Sequence, residues 1–197
     1  MQFGTGEIQA SSNFEINSEW TIVLKPEIKR WQLFAFPIAI INVITIALMW
    51  ILFTPAGDHL DSIPFPLPIP GFLVSLILVL IVHEFVHTLA HPGSGFYKES
   101  VVGFWPQKVL LYAIFNGELS RKRFILVLLM PFVMLSIIPI VISFLGDSYF
   151  FWLAYMTILN AFVSSGDILE VITILRQVPK NARIRRNGWN YYWKIMD

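Results

Sequence analysis

Four apolar runs dominate the chain, at residues 33–53, 71–90, 124–145 and 149–175. Each has about the length that carries a helix across a bilayer's ~30 Å hydrocarbon core. Between the second and third runs, residues 99–118 change to a strand-like pattern. Val101-Val102-Gly103-Phe104-Trp105 is followed by a break at Pro106, a second run from Val109 to Phe115, and the tight-turn pair Asn116-Gly117. Residues 1–32 are polar with scattered apolar positions, and Trp20 and Trp31 read as headgroup-level aromatics. Residues 54–70 carry Pro55, Pro64, Pro66, Pro68 and Pro70, which predicts a stiff extended loop. His91-Pro92-Gly93-Ser94-Gly95 stops the second run, and Pro131 and Pro139 should kink the third. The pattern predicts an all-α polytopic membrane protein. Four transmembrane helices would carry a small membrane-associated β element between helices 2 and 3, with 1–32 and 176–197 as terminal segments.

Composition supports that class. The chain is 56% hydrophobic and only 14% charged, where a soluble domain is about a quarter charged. There are no cysteines, so disulfides and thiolate ligands are excluded and any metal must be held by His, Asp or Glu. Net charge is +1, and no basic patch interleaves with stacking aromatics outside the tail, which argues against a nucleic-acid partner. The lysines and arginines fall in three groups only: Lys25, Lys29 and Arg30; Lys98, Lys108 and Arg121 to Arg123; and six from Arg176 to Lys194. The 54–70 loop and the 146–148 turn hold only Asp58, Asp61 and Asp147 among charged groups. The positive-inside rule then predicts a multi-pass cell-membrane protein, with both termini and the 91–123 loop cytoplasmic.

The candidate chemistry lies in the second run, at His83-Glu84-Phe85-Val86-His87. Two histidines four apart share a helix face one turn apart, so both imidazoles can hold one ion with the glutamate beside its water. These three are the only ionisable groups between Gly71 and Ala90, and ionisable groups within a membrane span mark functional sites by default. A catalytic zinc needs a third protein ligand. His83 and His87 lie roughly 5–10 Å from the cytoplasmic end of their helix, and Asp167 roughly 13 Å from the same side in the fourth run. Asp167 is therefore the matching carboxylate, preceded by a glycine, Gly166, that would allow close approach or local unwinding. His91 and Glu170 are the competing ligands, Glu170 also being suited to solvent or to an arginine such as Arg176. Asn160, seven residues before Asp167, shares its face and could bind a substrate backbone or a developing oxyanion. Ser164, between them, suits a bond back to its own helix carbonyl.

The two halves together resemble known families. His83 to His87 in one span, with Asn160-Ala161-Phe162-Val163-Ser164-Ser165-Gly166-Asp167 in a later one, looks like the site-2 protease class of intramembrane zinc metalloproteases. In that class the later motif is an asparagine, a proline-containing stretch and Leu-Asp-Gly. Here Gly166 and Ile168 flank the aspartate and the proline is missing. Leu119-Ser120-Arg121-Lys122-Arg123, Pro131-Phe132 and the Asn160 to Asp167 stretch, following HExxH in that order, are closer to a bacterial family of zincin-type membrane peptidases, the DUF3267 type. That resemblance covers roughly residues 70–195. It implies metal-assisted hydrolysis, with Zn²⁺ on His83, His87 and Asp167 acidifying water and polarising the scissile carbonyl. Glu84 would pass the water's proton to the leaving amine. The expected partners are the lipid bilayer and a transmembrane protein substrate, locally unfolded because a helix hides its carbonyls. The β element could offer that substrate a strand edge. Two other classes stay open: a non-catalytic chaperone or immunity-type binder with a structural metal or polar cluster, and a small transporter using the buried groups as a relay.

Overall fold

The computed structural model describes residues 1–10, 14–54 and 69–195; the proline-rich stretch expected as a stiff loop lies almost wholly outside them. Strands β1 (Gln2–Thr5) and β2 (Thr21–Ile22) precede helices α1 (Ile28–Phe53) and α2 (Ile69–Ala90). Then come β3 (Ser100–Trp105), β4 (Leu110–Phe115) and β5 (Glu118–Ser120). Helix α3 (Arg121–Phe132) continues through a π-helical turn (Val133–Ile137) into α4 (Ile138–Leu145). The chain ends with α5 (Phe151–Val163), α6 (Ser165–Gln177) and a hairpin of β6 (Ala182–Asn187) and β7 (Asn190–Ile195).

Among the described residues three helices are long and apolar enough to cross a membrane: Lys29–Phe53, Ile69–Ala90 and the continuous Arg121–Leu145. The pair α5 and α6, bent by 43° at Ser164, would make a fourth. The bend interrupts the backbone ladder, and Asn42 of α1 donates its amide to the Ala161 carbonyl there at 3.1 Å. Apolar surroundings make such compensation necessary. α1 and α2 leave large apolar side chains exposed along their length, including Leu33, Phe36, Ile44, Leu52, Phe72, Ile77 and Phe85.

The all-α expectation needs correction. The strands form two sheets rather than one small element, in the orders β1-β3-β4 and β2-β7-β6-β5. Residues before the first span supply one edge strand to each, β1 running parallel to β3 and β2 antiparallel to β7. Pairing across such separations leaves no local periodicity to read. The tail, read as merely basic and aromatic, alternates faces: Ala182, Ile184 and Tyr191 are buried while Arg183 and Arg185 lie on the other side of β6. The hairpin within residues 99–118 turns at Pro106–Lys108; Asn116-Gly117 instead passes the chain from one sheet to the other. Trp31, expected at the headgroups, is buried.

The 119–123 run ties the helices that matter. Ser120 caps α3 by accepting from the Arg123 N–H at 3.3 Å. Arg123 donates to the Ala90 carbonyl at the end of α2 (2.7 Å), and Arg121 to the Leu175 carbonyl near the end of α6 (3.1 Å). A guanidinium at a helix C-terminus satisfies carbonyls with no intrahelical partner and complements the helix dipole. Beyond α2, Gly95 adopts φ +81, and a Cβ there would collide with the Thr88 side chain and lie 2.8 Å from its carbonyl. Only glycine lets the chain double back so closely on the motif helix.

Candidate metal centre

His83 and His87 face inward from α2, 2% and 5% exposed, while Phe85 between them points outward. Asp167, in the first turn of α6, brings one oxygen to both rings: Oδ2 is 3.0 Å from His83 Nε2 and 3.3 Å from His87 Nε2. Among the described residues these three form the group that could hold a metal, their ligand atoms all within 4.8 Å of one another.

The far nitrogens decide which ring atoms are available. His87 Nδ1 is 2.9 Å from the Val127 carbonyl, an obligatory acceptor, so Nδ1 carries the proton. Asn160 Nδ2 donates to the Pro131 carbonyl (3.1 Å) and to Ser136 Oγ (2.9 Å). This orients the amide and leaves Oδ1 to accept from His83 Nδ1–H at 3.0 Å. Both Nε2 lone pairs and a carboxylate oxygen therefore converge on one point, an arrangement that a cation satisfies. A tetrahedral ion with bonds of ~2.0–2.1 Å separates its ligands by roughly 3.3 Å, and the two nitrogen–oxygen separations agree with that spacing. The residues fit zinc.

The support for His83 runs deeper. Ser136 Oγ donates to the Thr157 carbonyl at 2.9 Å, and Trp50 Nε1 donates to Thr157 Oγ1 at 2.7 Å. The π-helical turn aims Ser136, fully buried, at this network. Such turns are rare and recur at functional sites. Neither Asn160 nor Ser136 was legible in this role; only their presence as polar groups in apolar spans was.

Glu84 stands apart from the ligand cluster, on the wall of a cavity of about 580 Å³ that His83, His87 and Asp167 also line. Ala113 of β4, whose backbone N–H lies near enough to act on the Glu84 carboxylate, lines the same cavity. Because Asn116 N–H bonds to the Glu99 carbonyl, every second pair along β3 and β4 bonds across the ladder, and Val102 with Ala113 falls in the other class. Ala113 N–H thus points away from β3, and β4 is an edge strand whose free side borders the site.

The remaining candidates take other positions. Asn160, expected to meet substrate, is 1% exposed, spends its polar atoms on His83, Pro131 and Ser136, and does not line the cavity. His91 turns its Nδ1 to Ser100 Oγ at 3.1 Å. Glu170 is buried against the Tyr191 hydroxyl, 2.6 Å from each carboxylate oxygen, and lies 3.7 Å from Lys25 Nζ rather than meeting Arg176 or solvent. Ser164 Oγ is buried without a hydrogen-bond partner. Gly166 opens onto the cavity, where a Cβ would meet nothing within 4 Å; close helix approach is not its reason.

Neither a curated protein nor a solved structure matches the chain. A family model does match, over residues 76–183, more than half of the chain and the whole of the HExxH-to-Asp167 stretch. Its description, "Putative zincin peptidase", names the chemistry that the two histidines, the aspartate and the neighbouring glutamate are equipped for. Zinc is the metal it implies, and the chain belongs to this family, DUF3267.

Proposed function

We propose that the protein is an intramembrane zinc metallopeptidase of the site-2 protease-like kind, hydrolysing peptide bonds in membrane-embedded substrates. The observation that carries the reading is the separation of roles at one cavity. Three groups converge as ligands, while Glu84 lies on the same wall outside the cluster. A structural metal has no use for such a glutamate; hydrolysis does. The membrane setting is supported by three or four spans of sufficient length and by the exposed apolar residues of α1 and α2.

His83, His87 and Asp167 would hold the ion, their orientation fixed by Asn160 and the Val127 carbonyl. When bound, zinc supplies Lewis acidity, which acidifies water and polarises a carbonyl. Glu84 receives the water's proton and returns it to the leaving nitrogen. Asn160 acts through His83 as a positioning residue. The outward N–H and C=O groups of β4 bind an extended substrate segment as an added strand, which satisfies backbone groups that unfolding of a transmembrane helix exposes. Both chain ends face the cytoplasm.

The test is Glu84→Gln in the full-length protein. It should retain about one equivalent of zinc and abolish cleavage of membrane proteins that accumulate uncut when its membrane proteome is compared with wild type. Cleavage unchanged by the substitution would remove Glu84 from the mechanism.

A further inference from the structure

The cavity has a second end, built by the tail hairpin. Along β6 the inward positions are Ala182 and Ile184, both buried, and then Arg186, which lines the cavity. An arginine at an inward strand position is anomalous, because alternation assigns that face to apolar side chains. Its guanidinium carbon lies 4.8 Å from the ring centre of Tyr191, its cross-strand partner. Its Nε is buried with no hydrogen-bond partner, and among the described residues no carboxylate pairs with it.

The nearby acid is already committed. Glu170 accepts from Tyr191 and pairs with Lys25. The Lys25 ammonium, 1% exposed, is enclosed by the rings of Trp189 and Tyr191, each centred 3.9 Å away. Trp189 also lines the cavity, and its Nε1–H is buried without an acceptor. It is placed there by a two-residue turn between Asn187 and Asn190, with Gly188 at φ +60. Two cations and an indole N–H thus face one carboxylate. A guanidinium in a largely apolar cavity without an anion is costly.

We infer that this end is a carboxylate-binding subsite, with Arg186 as its anchor, for an acidic side chain or a free C-terminus of a peptide substrate. The inference rests on the peptidase reading and narrows its substrate class. Glu170 is one turn of α6, ~5 Å of rise, beyond Asp167; Tyr191 donates to it, and Arg186 lies over the Tyr191 ring. The carboxylate would therefore lie within about four residues of the scissile bond, at ~3.3 Å per extended residue.

The test is binding, which needs no turnover. Zinc-loaded Glu84→Gln protein in phosphatidylcholine nanodiscs is titrated with labelled peptides carrying Asp or Asn at successive positions, each with a free or an amidated C-terminus. At one position the acidic peptide should bind about tenfold tighter than its neutral twin, as expected for a charge-assisted pair. That preference should vanish in Arg186→Gln, survive in part in Arg186→Lys, and persist in Arg185→Gln on the outer face. Preference for a side-chain Asp or for the free terminus identifies which carboxylate is taken. Equal binding of all twins, no binding at all, or a preference that survives Arg186→Gln overturns the inference. An Arg186 dependence seen only after anionic lipid is added would assign the subsite to a lipid phosphate and overturn it too. Failure of the peptidase reading would appear separately, as absence of cleavage by the Glu84-containing protein.

Discussion

The two ends of the cavity treat polar atoms in opposite ways. At the metal end, His83, His87, Asn160, Ser136 and Thr157 are linked atom to atom across α1, α2, α3 and α5. At the tail end, Arg186 and Trp189 present donors that find no hydrogen-bond acceptor among the described residues. A satisfied network in an apolar medium has one geometry, and it can fix ligand orientation to a few tenths of an ångström. Unsatisfied donors fix nothing and are paid for only when something enters. One end is built to hold still and the other to receive.

The largest effect should come from removing a ligand. Asp167→Ala should drop the zinc content of purified protein from about one equivalent to near zero. If His91→Ala loses the metal instead, the third ligand is misassigned. A smaller loss is expected behind the ligands. Asn160→Ala should weaken zinc affinity by about 10–100-fold, and Ser136→Ala by less, since the Pro131 carbonyl still holds the amide. Chelator competition measures both; unchanged affinity in Asn160→Ala would reduce its network to packing.

At the tail end the response should be to pH. Burial lowers Lys25 to about 7, against the pull of Glu170, with Arg186 lowering it further. An unfolded lysine stays protonated up to about 10.5. Between those values the unfolded chain binds the extra proton, so stability rises with pH across that window. Tyr191, which also faces Lys25, is held well above its ordinary value by burial and stays neutral there. The unfolding temperature in detergent should rise from pH 7 to pH 9, and Lys25→Met should flatten the slope. A slope unchanged in that variant would show that another group titrates. The smallest effect belongs to the link between α3 and α2: Arg123→Met should cost about 1 kcal/mol, or roughly 2–4 °C for a chain of this size, with zinc content intact.

Legibility followed the range of the interactions. The HExxH spacing is local, and a helix places His83 and His87 together whatever surrounds it. Asp167 was reachable because only a few carboxylates stand at matching depth in apolar runs. Asn160 was legible as a polar group on that face but not in its orientation, because the Pro131 carbonyl that turns it belongs to another helix. Arg186 carried a signal, the alternation Ala182, Ile184, Arg186, which the surrounding basic residues obscured. Lys25 carried none beyond its charge.

The sequence by itself determined the apolar helices, the absence of thiolate ligands, the pair of histidines and the glutamate between them. Helical and apolar periodicities depend on neighbours three or four residues away, and composition depends on none. Tertiary structure alone decided the two sheets that join both chain ends, the ring orientations that turn both Nε2 atoms toward Asp167, and the guanidinium that faces the same cavity with no carboxylate paired to it among the described residues. Each of these depends on partners dozens of residues distant, and a hydrogen bond or an ion pair has no sequence signature until the chain brings its two halves together.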